Sequence, residues 1–155
     1  MLVVAFSGTS AAYQTASGRP NFAGTWVSRG VSDLSKPVGS GQGADAVRRS
    51  LLSPSFGPKF TITQSTQVLS VSRELKNGAY LTTNYALDGK ETKNDEIMVE
   101  TRSVAEWNKN RLTIVTRDPA DRELKRILYL NADGGLDIET FRDSEHYVSM
   151  YGKTK

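Results

Sequence analysis

Short runs of alternating apolar and polar residues recur from residue 59 to the end of the chain. Each run is followed by a turn signal such as Asn-Gly, Asp-Gly or Asp-Pro. Because successive side chains of a strand point to opposite faces, this alternation indicates half-buried antiparallel strands. The spacing predicts about nine strands, and no segment among them has the periodicity of a long helix.

The first strand is predicted over residues 22–28 (FAGTWVS). Further strands are predicted over residues 60–64, 68–73, 80–87, 97–107, 112–116, 123–130, 136–142 and 145–151, with a short edge strand within 91–95. A single open sheet of this size would twist strongly and leave two unpaired edges, so closure is favoured. The predicted fold class is all-β, an antiparallel up-and-down barrel of about eight to ten strands. A two-sheet sandwich is the alternative.

The connection over residues 30–58 is the least strand-like part of the chain. It is too long for an ordinary link between strands, which indicates a functional loop, a lid or a mobile excursion. Asp45 is suited to cap one short helix over residues 46–52, which ends before Pro54. We expect this helix to cross the barrel mouth, and a loop without a helix is the alternative.

The beginning of the chain resembles a processed leader. Residues 1–6 (MLVVAF) are apolar and residues 7–12 (SGTSAA) are small, as at the end of a secretory signal peptide. We therefore expect a leader and linker over residues 1–20, a barrel domain over residues 21–153, and a periplasmic or secreted location. A disordered tag is the alternative. No apolar run approaches the roughly 20 residues of a membrane-spanning helix.

Charge and composition narrow the expected partners. The chain has 20 Lys and Arg against 17 Asp and Glu, a net charge of +3, and the two signs are interleaved along the predicted strands. Such interleaving is typical of a solvated strand face, so we do not expect nucleic-acid binding. The chain has no cysteine, which excludes disulfides and thiolate metal sites. No phosphate loop or dinucleotide fingerprint occurs, and we expect no cofactor and no metal.

The residues that open the predicted barrel suggest a family. Residues 22–26 (FAGTW) are similar to the Gly-x-Trp first strand of lipocalins and fatty-acid-binding proteins, the calycin group. The Asp-Gly-Lys turn at residues 88–90 and the hairpin from Trp107 to Leu112 resemble those of small secreted bacterial lipocalin-like proteins. The resemblance spans about residues 21–153 and implies a barrel that binds a small hydrophobic or amphipathic molecule.

The same resemblance assigns residues to barrel closure and to a ligand. In lipocalins the first-strand Trp closes one barrel end beneath a cationic side chain of the last strand, which implies closure here by Gly24, Trp26 and Lys153. Fatty-acid-binding proteins place Arg and Tyr inside the barrel to meet a carboxylate, which a guanidinium pairs with two parallel hydrogen bonds. The candidate ligand-binding residues are Arg126, Tyr80, Tyr85, Tyr147 and Tyr151.

Strand parity supports Arg126 as an interior residue. It shares a strand face with Leu124, Leu128 and Leu130, so an inward apolar face would carry Arg126 inward with it. The alternative is that Arg126 lies near a strand end and extends its charge to water, while the tyrosines only form barrel wall.

Catalysis is not predicted. His146 is the only histidine, and Ser144 and Asp143 beside it do not form a triad, because neighbours in a tight hairpin diverge to opposite faces. We expect His146 to be a solvent-exposed turn residue. The predicted function is an exported, monomeric or weakly associating barrel that binds a small hydrophobic or amphipathic ligand. A non-catalytic interaction domain with a filled interior is the alternative, and a small-barrel enzyme is a third.

Overall fold

The computed structural model describes residues 18–35, 55–96 and 98–155, which form ten β-strands and no helix. The strands are β1 (Gly24–Asp33), β2 (Lys59–Gln64), β3 (Val68–Glu74), β4 (Tyr80–Ala86), β5 (Thr92–Glu96), β6 (Val99–Asn108), β7 (Arg111–Arg117), β8 (Glu123–Leu130), β9 (Leu136–Arg142) and β10 (Glu145–Lys153). None of these described residues belongs to a helix that could cross a membrane.

All ten strands belong to one antiparallel sheet in the order β4-β3-β2-β1-β10-β9-β8-β7-β6-β5. Neighbours in this order are neighbours in the chain, except that the first strand pairs with the last. That pairing unites all ten strands in one sheet, which curves into a nearly closed up-and-down barrel with β4 and β5 at its two edges. The predicted all-β antiparallel barrel of eight to ten strands is confirmed, with ten strands and no separate second sheet among the described residues. The helix predicted over residues 46–52 lies outside the described residues.

The barrel is bridged by side chains where β4 meets β5. No backbone ladder joins these two strands. Instead the Asn94 side chain accepts a hydrogen bond from the Asn84 N–H and donates one to the Asn84 carbonyl, both at 2.8 Å. The Ala86 N–H donates to Thr92 Oγ1 at 2.9 Å. These contacts satisfy backbone groups that an open sheet edge would leave unpaired.

The interior is apolar at one end of the barrel, called here the closed end. This end carries the turns at residues 65–67, 87–91, 109–110 and 131–135 together with residues 18–23. Its core includes Phe22, Trp26, Ile62, Leu69, Leu112, Leu128, Leu136 and Ile138, all buried in one cluster. The opposite end, called the open end, carries residues 34–35 and the other described turns.

The first strand is longer than predicted. β1 continues to Asp33, whereas the alternation of side chains predicted its end at Ser28. A β-bulge between Ser28 and Gly30 shifts the register and leaves Arg29 as the extra residue. The bulge hides the second half of β1 from a pattern search, because it breaks the period of two. The long connection therefore begins after β1, and the Leu34 N–H donates to the His146 carbonyl at 2.7 Å.

Two other boundaries concern β5 and β6. The short edge strand predicted within residues 91–95 is confirmed as β5, which pairs with β6 over its whole length. The strand predicted to begin at residue 97 begins at Val99 instead. Met98 has a φ of 68°, a left-handed conformation that belongs to a turn and not to a strand.

Gly24, Trp26 and Lys153 pack together at the closed end of the barrel. Trp26 is buried, and its Nε1–H donates to the Phe22 carbonyl at 2.8 Å. Lys153 lies opposite Trp26 in the β1–β10 register, with its Nζ 5.6 Å from the ring centroid. Gly24 has a φ of +143°, and a Cβ there would meet Lys153 Cε and lie 3.0 Å from its Nζ. The glycine therefore gives Lys153 the room to cover the indole.

We predict that Gly24→Ala lowers the free energy of unfolding by about 1–3 kcal/mol, because alanine is strained at this φ and Lys153 must leave the indole. In a protein that already carries Lys153→Ala, Gly24→Ala should lower the free energy of unfolding by a smaller amount. The difference should be about 0.5–1 kcal/mol, which is the value of an exposed cation–π contact. Urea unfolding of the four proteins measures both costs. Equal costs in the two backgrounds contradict the packing of Lys153 over Gly24.

We predict that Asn94→Ala lowers the free energy of unfolding by about 1–3 kcal/mol, because it removes two hydrogen bonds that join β4 to β5. Hydrogen exchange of the Asn84 amide should accelerate with it. Asn77→Ala is the matched control, since Asn77 makes its bond to the Ala79 N–H in an exposed turn. Similar losses in the two variants would show that Asn94 has no special part in closing the barrel.

Candidate ligand-binding site

Polar side chains line the inside of the barrel toward the open end. They are Thr83, Thr101, Ser103, Thr116, Arg126, Thr140 and Ser149, all buried. The period of two that turns apolar residues inward at the closed end also turns these side chains inward farther along the same strands. Some are paired among themselves, as in the 2.8 Å hydrogen bond between the hydroxyls of Ser103 and Thr116. The interior thus changes from apolar to polar along the barrel.

Arg126 is the cationic centre of this polar half. It is 8% exposed and lies in β8. Its Nε donates to Ser55 Oγ at 2.9 Å and its Nη2 to the Ser55 carbonyl at 3.4 Å. Its Cζ lies 4.5 Å from the centroid of the Phe56 ring. Thr140 Oγ1 also donates to Ser55 Oγ, at 3.0 Å.

The buried Arg126 guanidinium retains hydrogen-bonding capacity. A guanidinium has five N–H donors, and the described contacts use two of them. Among the residues that the structure describes, no carboxylate forms an ion pair with Arg126. A buried charge without an opposite charge is costly. An anion at this position would therefore be held more strongly than at the surface.

The end of the β1–β2 connection lies inside the barrel and contacts the polar side chains. The Ser55 N–H donates to Ser149 Oγ at 3.0 Å, and the Phe56 N–H donates to the Tyr151 hydroxyl at 3.3 Å. The Tyr151 hydroxyl in turn donates to the Gly57 carbonyl at 3.2 Å. The chain thus supplies its own hydrogen-bonding partners to the buried polar groups, as their burial requires.

Two interior tyrosines are held in the neutral form. Burial raises the pKa of Tyr85 to about 12, although the positive charge of Arg126 opposes the rise. Burial also raises the pKa of Tyr151 to about 12, against the hydrogen bond from the Phe56 N–H, which lowers it. Both phenols are therefore neutral hydrogen-bonding groups at physiological pH.

Two adjoining cavities lie inside the open end. The first, called the Arg126 cavity, is only about 20 Å³ and is lined by Ser55, Phe56, Val71, Arg73, Thr83, Tyr85, Glu96 and Arg126. The second, called the mouth cavity, is about 300 Å³ and is lined by Glu96, Thr101, Thr116, Asp118, Arg122, Glu123, Leu124, Arg142 and Asp143. Glu96 borders both. The mouth cavity is large enough for a small molecule, whereas the Arg126 cavity has room for about one water.

A third cavity opens through the barrel wall. The ladder between β2 and β3 ends at the pair Thr61 and Ser72. Beyond it, Lys59 and Phe60 pair only with β1, and β3 continues with β4 alone. The opening, called the lateral notch, is about 620 Å³ and is lined by Thr25, Phe56, Gly57, Pro58, Lys59, Phe60, Thr61, Ser72, Arg73, Glu74, Leu75, Lys76 and Tyr80.

Four of the five candidate ligand residues lie inside the barrel. Arg126, Tyr85, Tyr147 and Tyr151 are buried, with Tyr85 and Tyr151 at 1% and 2% exposure. Tyr80 is not among them, because it lies on the outer face of β4 and is 72% exposed. The parity of β4 already separates Tyr80 from Tyr85, but parity alone does not tell which face is the inner one. Their part in ligand binding stays a prediction.

The sequence did not indicate the importance of Ser55 and Phe56. Both belong to the long connection, whose composition of Ser, Pro and Gly is typical of loop and carries no strand period. A bulky aromatic residue within such a stretch is the one available signal, because Phe56 has to be buried somewhere. The contacts to Arg126 arise only when the barrel folds around it.

His146 is not a turn residue. It lies in β10 on the outer face of the barrel, where its Nε2 is 2.7 Å from Glu139 Oε1 and its ring stacks on Phe141 at 4.2 Å. The expected exposed histidine is therefore half-buried and paired with a carboxylate. Neither partner lines any of the three cavities. In the part of the chain that the structure describes, no group of three His, Asp or Glu side chains could hold a metal ion.

Comparisons with known proteins support the fold alone. No protein-family model matches the chain, and no curated protein sequence matches it. Among solved structures, the chain is similar to a mutant of the fluorescent protein UnaG, with a TM-score of 0.60 and 16% sequence identity. The match covers 86% of this chain and 96% of the UnaG chain. The likeness supports the antiparallel β-barrel fold, and the resemblance to the calycin group and to secreted bacterial lipocalin-like proteins stays a prediction.

We predict that the free energy of unfolding falls as the pH rises from about 10 to about 12. The phenols of Tyr85 and Tyr151 ionise only near pH 12 in the folded protein but near pH 10 in the unfolded chain. The unfolded chain therefore binds fewer protons in this window, and the stability present below about pH 10 is lost. Tyr85→Phe should reduce the loss by on the order of 2 kcal/mol.

Urea unfolding at pH values from about 9 to 12 measures this dependence. Tyr80→Phe, at the outer face, is the control and should leave it unchanged. The same pH dependence in Tyr85→Phe and in the wild type would contradict the assignment to Tyr85.

Proposed function

We propose that this protein binds a small amphipathic molecule whose anionic group pairs with Arg126 inside the barrel. The observation that carries the proposal is the burial of Arg126 without a described carboxylate partner. A guanidinium binds a carboxylate through two parallel hydrogen bonds, and this pairing is about twice as strong as a neutral hydrogen bond. The likeness of the fold to another small barrel adds no information about the ligand.

The hydroxyls around Arg126 are suited to the same anionic group. Thr140 Oγ1 and the Arg126 Nε both donate to Ser55 Oγ, and the Ser149 hydroxyl accepts from the Ser55 N–H. Two of these donors converge on one oxygen atom, which is the arrangement that a bound carboxylate oxygen requires. The anion would take the place of the Ser55 oxygens, and the apolar part of the ligand would extend toward the open end.

The expected export to the periplasm or the medium and the monomeric or weakly associating state belong to this proposal. A small-molecule binder of this kind needs no cofactor and no nucleic-acid partner, in keeping with the interleaved charges of the sequence.

A second candidate function is an interaction domain with a filled barrel. The specific observation in its favour is the packing of the interior, since only about 20 Å³ remains beside Arg126. On this hypothesis Arg126 fastens the Ser55 and Phe56 segment and binds nothing else. Native mass spectrometry of protein purified from its own host distinguishes the two, because a uniformly ligand-free mass favours the filled barrel.

We predict that Arg126→Met weakens binding of decanoate by about 10-fold to 150-fold, because a hydrogen-bonded pair with a charged group is worth about 1.5–3 kcal/mol. Methionine keeps the length and the apolar stem of the side chain. Decanol, which has the same chain without the charge, should bind the wild type and the variant alike. Isothermal titration calorimetry measures the four affinities.

Arg102→Met is the matched control, because Arg102 lies on the outer face of β6 with its side chain 46% exposed. It should leave the affinity for decanoate unchanged. If the wild type binds neither decanoate nor decanol, or if Arg126→Met and Arg102→Met behave alike, the proposed anion site is wrong.

A further inference from the structure

The lateral notch and the mouth cavity approach the same part of the interior with opposite charge. The notch carries Lys59, Arg73 and Lys76 against Glu74, three positive groups against one negative, a net charge of +2. The mouth cavity carries four carboxylates against two guanidiniums, a net charge of −2. Clefts lined by one sign of charge concentrate ligands of the opposite sign. A negatively charged molecule is therefore drawn to the notch and repelled from the mouth.

The notch also offers apolar surface and sufficient volume. The ring of Tyr80 is 72% exposed and borders the notch together with Leu75. Its volume of about 620 Å³ lies within the range of roughly 300–1,000 Å³ that is typical of small-molecule sites. An aromatic wall beside lysines suits a molecule that has both an apolar body and an anionic group.

The separation of β2 from β3 makes the notch a built feature of the barrel wall. Lys59 and Phe60 are held in place by their pairing with Val27 and Trp26 of β1. Their other side does not continue the ladder with β3, which ends at Thr61. The edge is too short to pair with a further strand and leaves room for a ligand between the two strands.

Phe56 separates the notch from Arg126. The Phe56 side chain is buried and borders both the notch and the Arg126 cavity. Its ring makes an edge contact with Phe60 at a centroid distance of 5.3 Å, and the Arg126 Cζ lies 4.5 Å from its centroid. A molecule in the notch is thus one aromatic ring away from the Arg126 guanidinium.

We propose that the lateral notch binds a small anionic amphiphile and that Phe56 is the barrier between this site and Arg126. The first part stands on the geometry and charge of the notch. The second part rests on the proposed function, because Arg126 is the group that the anion would reach. Lys59, Arg73 and Lys76 select for the anion, and Tyr80 and Leu75 contact its apolar body.

The test uses anilinonaphthalene sulfonate as the anionic probe and phenylnaphthylamine, its uncharged analogue, as the comparison. The double variant Lys59→Glu, Lys76→Glu reverses two exposed charges of the notch. It should weaken sulfonate binding by about fivefold or more at low salt, with a smaller effect at high salt. Binding of the uncharged analogue should not change. Fluorescence titration measures both affinities.

The control is the double variant Lys109→Glu, Lys155→Glu, which makes the same change of net charge at two exposed positions of the closed end. It should bind both probes like the wild type. A third variant, Phe56→Leu, tests the barrier. Stopped-flow mixing should show about tenfold faster association of the sulfonate with it, because opening of the ring no longer limits the rate.

The outcomes separate this inference from the proposed function. Equal sulfonate affinity in the notch variant and the control overturns the notch site, as does absence of sulfonate binding to the wild type. If the notch variant keeps its affinity for the sulfonate and Arg126→Met loses it, the proposed function stands without the notch. If the notch variant loses affinity for the sulfonate and Arg126→Met does not, the notch site is supported and the proposed function is contradicted. An unchanged association rate in Phe56→Leu overturns the barrier.

Discussion

The backbone ladder between β1 and β10 is the interaction on which the rest of the structure depends. It joins the first strand to the last and so unites β1–β4 with β5–β10 in one sheet, whose edge strands β4 and β5 are then bridged by the Asn94 and Thr92 side chains. Its register places Lys153 opposite Trp26 at one end and Tyr147 opposite Asp33 at the other. The bulge at Arg29 allows β1 to follow β10 through most of its length. The packing of Lys153 over Trp26 at the closed end and the position where β1 ends both follow from this pairing.

Closure has a second consequence, which is the division of the interior. The inner face of each strand is a line of alternate residues, and these lines are apolar near the closed end and polar near the open end. The apolar half supplies the free energy of burial. The polar half is stable because Ser55 and Phe56 satisfy Arg126, Ser149 and Tyr151 from within. A ligand therefore has to compete with the protein's own chain for the groups that would bind it.

Charge decides between the two approaches to that interior. Volume does not distinguish the two approaches, since both the mouth cavity and the lateral notch are large enough for small molecules. The opposite signs of their lining groups make the choice of ligand and the choice of approach one question. For an anion that pairs with Arg126, the approach past Phe56 is the one whose lining has a net positive charge. The same reasoning would direct a cation to the carboxylates of the mouth.

The sequence by itself determined the class of fold, the floor of the barrel and the parity of each strand, because alternation, turn residues and the Gly-x-Trp start act over a few residues. Parity correctly grouped Arg126 with the inward leucines of β8. The predicted end of β1 and the predicted start of β6 were wrong, because the backbone departs from the period of two at the bulge of β1 and at the left-handed Met98. Only the tertiary structure decided which face of each strand is inside, where β2 leaves β3, and that Ser55 meets Arg126, 71 residues away. Those features depend on which distant segments pair, and the energy of such pairings is shared among many weak contacts that no short stretch of sequence contains.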